Sequence, residues 1–180
     1  MEGQENTTIP LSDNLKLVGT LEIFERPAPK TGSPKDPDYY KGNWTYVKTV
    51  KNLITNVGYN TIIDRLIGSR TYSSTTFTYF SWSNGTATPA VTDTAAGFLA
   101  DGTTATKAVA TYDSYDVGNK KQIFNCFLSS TDNTVASITK FALMNAASPT
   151  TMFNNLIFTA ISKDYRKEFY FRYTLQMSQV

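Results

Sequence analysis

Along the 180 residues, apolar positions recur mostly at every second place, and one stretch alone carries a clear helical spacing. In LKLVGTLEIFE, Leu15, Leu17, Leu21 and Ile23 share one face and Lys16, Thr20 and Glu22 the other, which predicts a strand over 14–25. Gly19 keeps the alternation and could mark a bend or bulge. Residues 26–38, RPAPKTGSPKDPD, hold Pro27, Pro29, Pro34 and Pro37. Such proline density forbids a helix or a central strand and predicts an extended linker. Trp44, Tyr46 and Val47 open a short strand around 43–50.

The helical spacing follows. Val57, Ile62, Ile63, Leu66 and Ile67 fit a period near 3.6, opposite Asn60, Asp64 and Arg65, and predict a helix over 56–67. Thr55 or Asn56 suits its N-cap and Gly68 the residue after its last turn. Beyond it the pattern returns to strands: 77–84, 105–115, 120–130, 136–145, 150–161 and 166–178. A loop is expected over 84–97, and Val117-Gly118-Asn119 reads as a hairpin turn. In the last strand Phe169, Phe171, Tyr173, Leu175 and Met177 face one way, and Glu168, Tyr170, Arg172, Thr174 and Gln176 the other. Seven or eight strands of this kind predict an antiparallel, jelly-roll-like β-sandwich with one α-helix. Residues 1–12 are polar and irregular and read as a flexible arm. The expected division is therefore 1–42, an extended arm with strand and linker, and 43–180, the sandwich body. The first strand either lies outside the body and reaches a neighbour, or forms an edge.

Composition narrows the chemistry. Histidine is absent, which excludes Ser-His-Asp and Cys-His catalysis and histidine-containing zinc or iron sites. The single cysteine, Cys126, cannot form an intrachain disulfide, and among Phe124, Phe127 and Leu128 it reads as a small core residue. A net charge of +2 gives no field for nucleic acid. No run approaches a membrane span, and MEGQENTTIPLSDN has neither the basic nor the apolar region of a signal peptide. Phosphate-cradling and nucleophile-elbow motifs are missing. Asp113 and Asp116, with Asp93 and Asp101, read as solvated loop acids, or as a loop calcium site. Lys120-Lys121 and Arg166-Lys167 read as solvated charges at strand ends. Tyr39, Tyr40, Trp44 and Tyr46 cluster after the linker, and aromatic faces can stack on sugars or anchor interfaces. The candidate partner contacts are Ile9 and Leu11 in the arm and Tyr39, Tyr40 and Trp44 around the end of the linker.

Three segments together resemble a family of small structural proteins of tailed bacteriophages. VKNLITNVGYNTIIDRLIG (50–68) is similar to its T-N-V-G motif and the helix ending D-R-L. FSWSNGTATPAVTDTAAG (80–97) is similar to its strand followed by G-T-x-x-P-x-x-x-D-T-x-x-G. The block 138–178 resembles I-T-x-x-x-L-x-N-A, a turn, T-M-F, a strand, I-x-K and a final strand. Lys140-Phe141 depart from the acidic or small residues usual after I-T, and residues 1–49 do not match.

The resemblance implies a virion component with a β-sandwich body and no enzymatic role, made in the host cytoplasm; from the residues themselves, no cofactor and no catalytic metal is expected. The expected role is a capsid decoration or cement protein that stabilises the phage head. Its expected partners are the major capsid protein or other virion proteins and further copies of itself, with no nucleic acid and no membrane. A tail, baseplate or fibre adaptor is the alternative within that class. A carbohydrate-binding adhesion module using Tyr39, Tyr40 and Trp44 is the alternative outside it.

Overall fold

The structure, a computed structural model, describes residues 15–28, 43–67, 76–109, 111–116, 121–132, 134–146, 148 and 151–179. Its strands are β1 (Leu15–Pro27), β2 (Thr45–Lys51), β3 (Leu53–Ile54), β4 (Tyr79–Ser83), β5 (Thr104–Ala108), β6 (Thr111–Asp116), β7 (Lys121–Leu128), β8 (Ser137–Met144), β9 (Asn154–Ser162) and β10 (Lys167–Gln179). The helices are α1 (Asn56–Ile67) and α2 (Ala95–Ala100). Two five-stranded antiparallel sheets form a sandwich, in the orders β2-β1-β10-β7-β6 and β3-β9-β8-β4-β5. The pairs β1·β10, β3·β9, β4·β8 and β6·β7 are nested, as in one long hairpin rolled up, which gives the jelly-roll-like connectivity.

Alternation builds the core. Leu21 and Ile23 from β1, Cys126 and Leu128 from β7, and Phe169, Phe171 and Tyr173 from β10 face Phe80, Trp82, Phe141, Leu143 and Leu156 of the second sheet. Phe141 is the hub, with ring centroids 4.7 Å from Phe80, 5.9 Å from Phe171 and 6.0 Å from Tyr173. Each large apolar side chain taken fully out of water contributes about 1.5–3 kcal/mol. Asn52 donates to the buried Tyr173 hydroxyl, and Gly19 lies against both. A Cβ at residue 19 would collide with this pair, so glycine here makes room rather than a bend. The bulge sits further on, between Ile23 and Phe24.

The expected division at residue 42 does not hold for β1. It pairs along its whole length with β10, from Leu15–Gln179 to Pro27–Lys167, and with β2 on its other side. It is thus neither a separate arm nor an edge. Residues 1–12, most of the linker, and Val117, Gly118 and Asn119 lie outside the described residues.

The strand expected over 105–115 is two strands, β5 and β6, which belong to different sheets. The region 84–97 is not all loop, because it includes the start of α2. The helix α1 has the expected bounds, with the Thr55 hydroxyl capping Gly58 N at 3.1 Å. Its buried face differs from the expected stripe. Gly58 and Thr61 are buried, Ile62 is half-buried, and Ile63 is 50% exposed. Gly58 lets the helix approach the Phe153 carbonyl too closely for any Cβ. Ile63, about 140° around the axis from Gly58, then turns outward. The side chains of Asp64, Arg65, Leu66 and Ile67 lie outside the described part.

Candidate functional site on the outer face of the first sheet

The outer faces of the two sheets are built differently. On the second sheet, α2 lays Ala95 and Phe98 over Ala142, Met144 and Met152. Thr94 starts this short helix by accepting from Gly97 N at 3.1 Å. Beneath it Lys140, 2% accessible, reaches Asp101 at 2.6 Å, with its ammonium 5.4 Å from the centre of the Phe98 ring. Asp101 also accepts from Thr86 N at 3.2 Å and Ala87 N at 3.1 Å. The Lys140 hydrogen bond, together with these two amides, holds the Asp101 carboxyl below its ordinary value against the cost of burial. Asp93 accepts from Ala90 N at 2.8 Å and from Asn155 Nδ2 at 2.7 Å. Both acids therefore organise the loop between β4 and α2. The side chains of Asp113 and Asp116 lie outside the described part. Among the described residues, no three His, Cys, Asp or Glu side chains converge as a metal site.

The outer face of the first sheet carries rings and paired charges. Register puts Tyr46 of β2, Phe24 of β1, Tyr170 of β10 and Phe127 of β7 in one row across four strands. Phe24 lies 5.9 Å from Tyr46 and 6.2 Å from Tyr170, centroid to centroid. Opposed aromatic residues in such rows stabilise the sheet and fix ring positions. The next row pairs Glu22 with Arg172 at 3.6 Å, and the Arg172 guanidinium lies 5.4 Å from the Phe24 centroid. On the other side Arg26 and Glu168 form a buried ion pair at 2.8 Å.

Trp44 belongs to this second flank. It is half-buried, with the Arg26 guanidinium 4.6 Å from its ring centre and with Tyr170 and Phe127 at 5.8 and 6.0 Å. The other expected partner contacts, Ile9, Leu11, Tyr39 and Tyr40, lie outside the described residues. Beside Arg26 opens a cleft of about 390 Å³ lined by Glu25, Arg26, Pro27, Thr45, Asp164, Arg166 and Lys167. The basic pair at its rim is not free: Arg166 meets Asp164 at 2.9 Å and Lys167 meets Glu25 at 3.3 Å.

The sequence pattern missed the buried charges Arg26, Glu168, Lys140 and Lys163. Each occupies a polar position in or beside an alternating strand, where solvent is the ordinary neighbour. Burial lowers the affinity of the Lys163 ammonium for its proton, and Asp132, Asp164 and Glu168 only partly offset this. Cys126 matches its core reading, with burial pushing its thiol up to about 12. Compared with known proteins, the chain matches no family model, no curated protein and no solved structure.

Proposed function

We propose that the chain is a non-enzymatic structural protein of a phage particle, acting as a decoration or cement protein on the head. The observation that carries this reading is where the polar residues of the three resembling segments spend their hydrogen bonds. Thr55 caps α1, and Thr94 caps α2. Asp93 fastens the loop before α2. Asn145 accepts from Thr151 N at 3.1 Å and Asn154 from Leu143 N at 2.6 Å, closing the turn between β8 and β9. These residues act on the backbone, so the segments work as a scaffold signature rather than as a set of reacting groups. A rigid scaffold with paired surface charges suits a part that must persist in many copies, each adding a modest interface.

The test is rebinding. Particles made without this chain are mixed with the purified protein and sedimented. The reading expects saturable binding to heads and a raised temperature of head rupture. Absence of binding to heads, or turnover of a substrate by the purified chain, would refute it.

A further inference from the structure

We propose that the free edge of β5 pairs with the same strand of a second copy of this chain, joining two sandwiches across a two-fold axis. β5 ends the second sheet, with β4 as its neighbour. In the β4–β5 register Asn84 N donates to the Thr103 carbonyl at 3.2 Å and Val109 N to the Thr78 carbonyl at 2.8 Å. Bonds of an antiparallel pair involve every second residue, so Ala105 and Lys107 exchange theirs with β4. The N–H and C=O groups of Thr104, Thr106 and Ala108 therefore point away from it, and among the described residues no backbone group meets them.

Open edges pair readily with further strands, and chains guard them with charges, proline, broken register or shortness. The other edges carry such guards. β2 bears Lys48 and Lys51, and Lys48 reaches across to the Thr159 carbonyl at 2.7 Å. β3 is two residues long, and β6 breaks its register between Asp113 and Asp116. β5 has no proline, an unbroken register with β4, and one charge, Lys107. Lys107 shares the core side with Phe80 and meets Asp132 at 2.6 Å, so pairing would not bury it unmatched.

The strand itself selects the occupant. Apart from Lys107 its side chains are alanine and threonine, too small to form pockets for the alternate side chains of a foreign strand. Laid antiparallel on itself about Thr106, it matches. Thr106 faces Thr106, Thr104 faces Ala108, and each Lys107 faces Ala105 rather than another charge. The outward residues then oppose one another, so each outward N–H meets a carbonyl. Five residues are fewer than the about 20–30 a side of a standard interface, so the dimer forms reversibly as concentration rises. This contact does not depend on the head-decoration reading.

The experiment is sedimentation of the full chain across a wide concentration series, with amide hydrogen exchange at both ends of it. The sedimenting mass should rise from that of one chain to twice that value. The amides of Thr104, Thr106 and Ala108 should exchange fast in dilute protein and about tenfold more slowly in concentrated protein, with Ala105 and Lys107 protected throughout. Thr106→Lys sets two ammonium groups opposite each other and should weaken association about tenfold. Thr106→Pro should do the same and keep the fold, because the N–H it removes points outward. A chain that stays monomeric at every concentration overturns the proposal. So does a dimer in which those three amides still exchange fast, or one left intact by both variants when they melt like the parent. Protection of these amides in a protein that binds no heads would uphold the contact and count against the head reading alone.

Discussion

Lys140 and Arg172 each lie 5.4 Å from the centre of a phenylalanine ring, and each has a carboxylate partner. The first is sealed under α2, 2% accessible and 2.6 Å from Asp101. The second faces outward, 40% accessible and 3.6 Å from Glu22. The same trio of cation, carboxylate and ring serves as a bolt on one sheet and as a surface on the other. Burial makes the difference. A hidden charge must be fully matched, because removing its partner strands it in a medium of low polarity. An exposed pair is worth about 0–1 kcal/mol and can be rearranged by a ligand.

The largest effect should come from stranding the hidden charge. Asp101→Ala is expected to cost about 3–5 kcal/mol, since it isolates Lys140 and frees the Thr86 and Ala87 amides. Lys140→Met in the same background should recover most of that loss. A loss below about 1 kcal/mol in denaturant melts would show that the bolt is not closed.

Removing the lid itself comes next. Phe98→Ala should cost about 3–5 kcal/mol if the site does not collapse, and less where α2 can settle onto Ala142 and Met144. The matching change on the first sheet, Glu22→Gln, should cost no more than about 1 kcal/mol. If the two losses were alike, the contrast between the faces would fail.

Acid should loosen the covered face more gently. The folded Asp101 binds its proton less tightly than the unfolded chain does. Its stabilising contribution is therefore complete above the ordinary carboxylate value, 3.8, and is lost as pH falls below it. The stability gap between the parent and Asp101→Asn should narrow as pH drops from about 5 towards 2. Melts of the two proteins across that range check the slope.

Tyr46→Ala marks the small end of the series, with a loss of no more than about 1 kcal/mol expected, since the cross-strand contact with Phe24 goes with the ring. A larger loss would mean that this ring belongs to the fold rather than to a binding surface.

The elements that were legible in the sequence are those whose signal is local. The alternation in β10 and the spacing and cap of α1 gave their bounds within a residue or two. The second helix was not legible because AAGFLA is short and alanine-rich, although Thr94 three residues before Gly97 is a capping signal. The partners of β1 were illegible for another reason. Its pairing with β10 joins opposite ends of the chain, and the proline-rich stretch after it suggested separation instead. Covered charges escaped as well, since whether Lys140 meets water depends on where α2 lands. Of the expected contacts, Trp44 does lie on the aromatic face. Tyr46 stands in the same aromatic cluster after the linker, but its exposure was not legible, because strand tyrosines with this alternation are buried as often as exposed.

The central claim, that this chain is a structural part of the particle head, is tested most directly by its position and copy number in a particle reconstruction. The account predicts hundreds of symmetrically placed copies on the outer surface of the head. A dozen copies or fewer at the tail, or none in the particle, would contradict it.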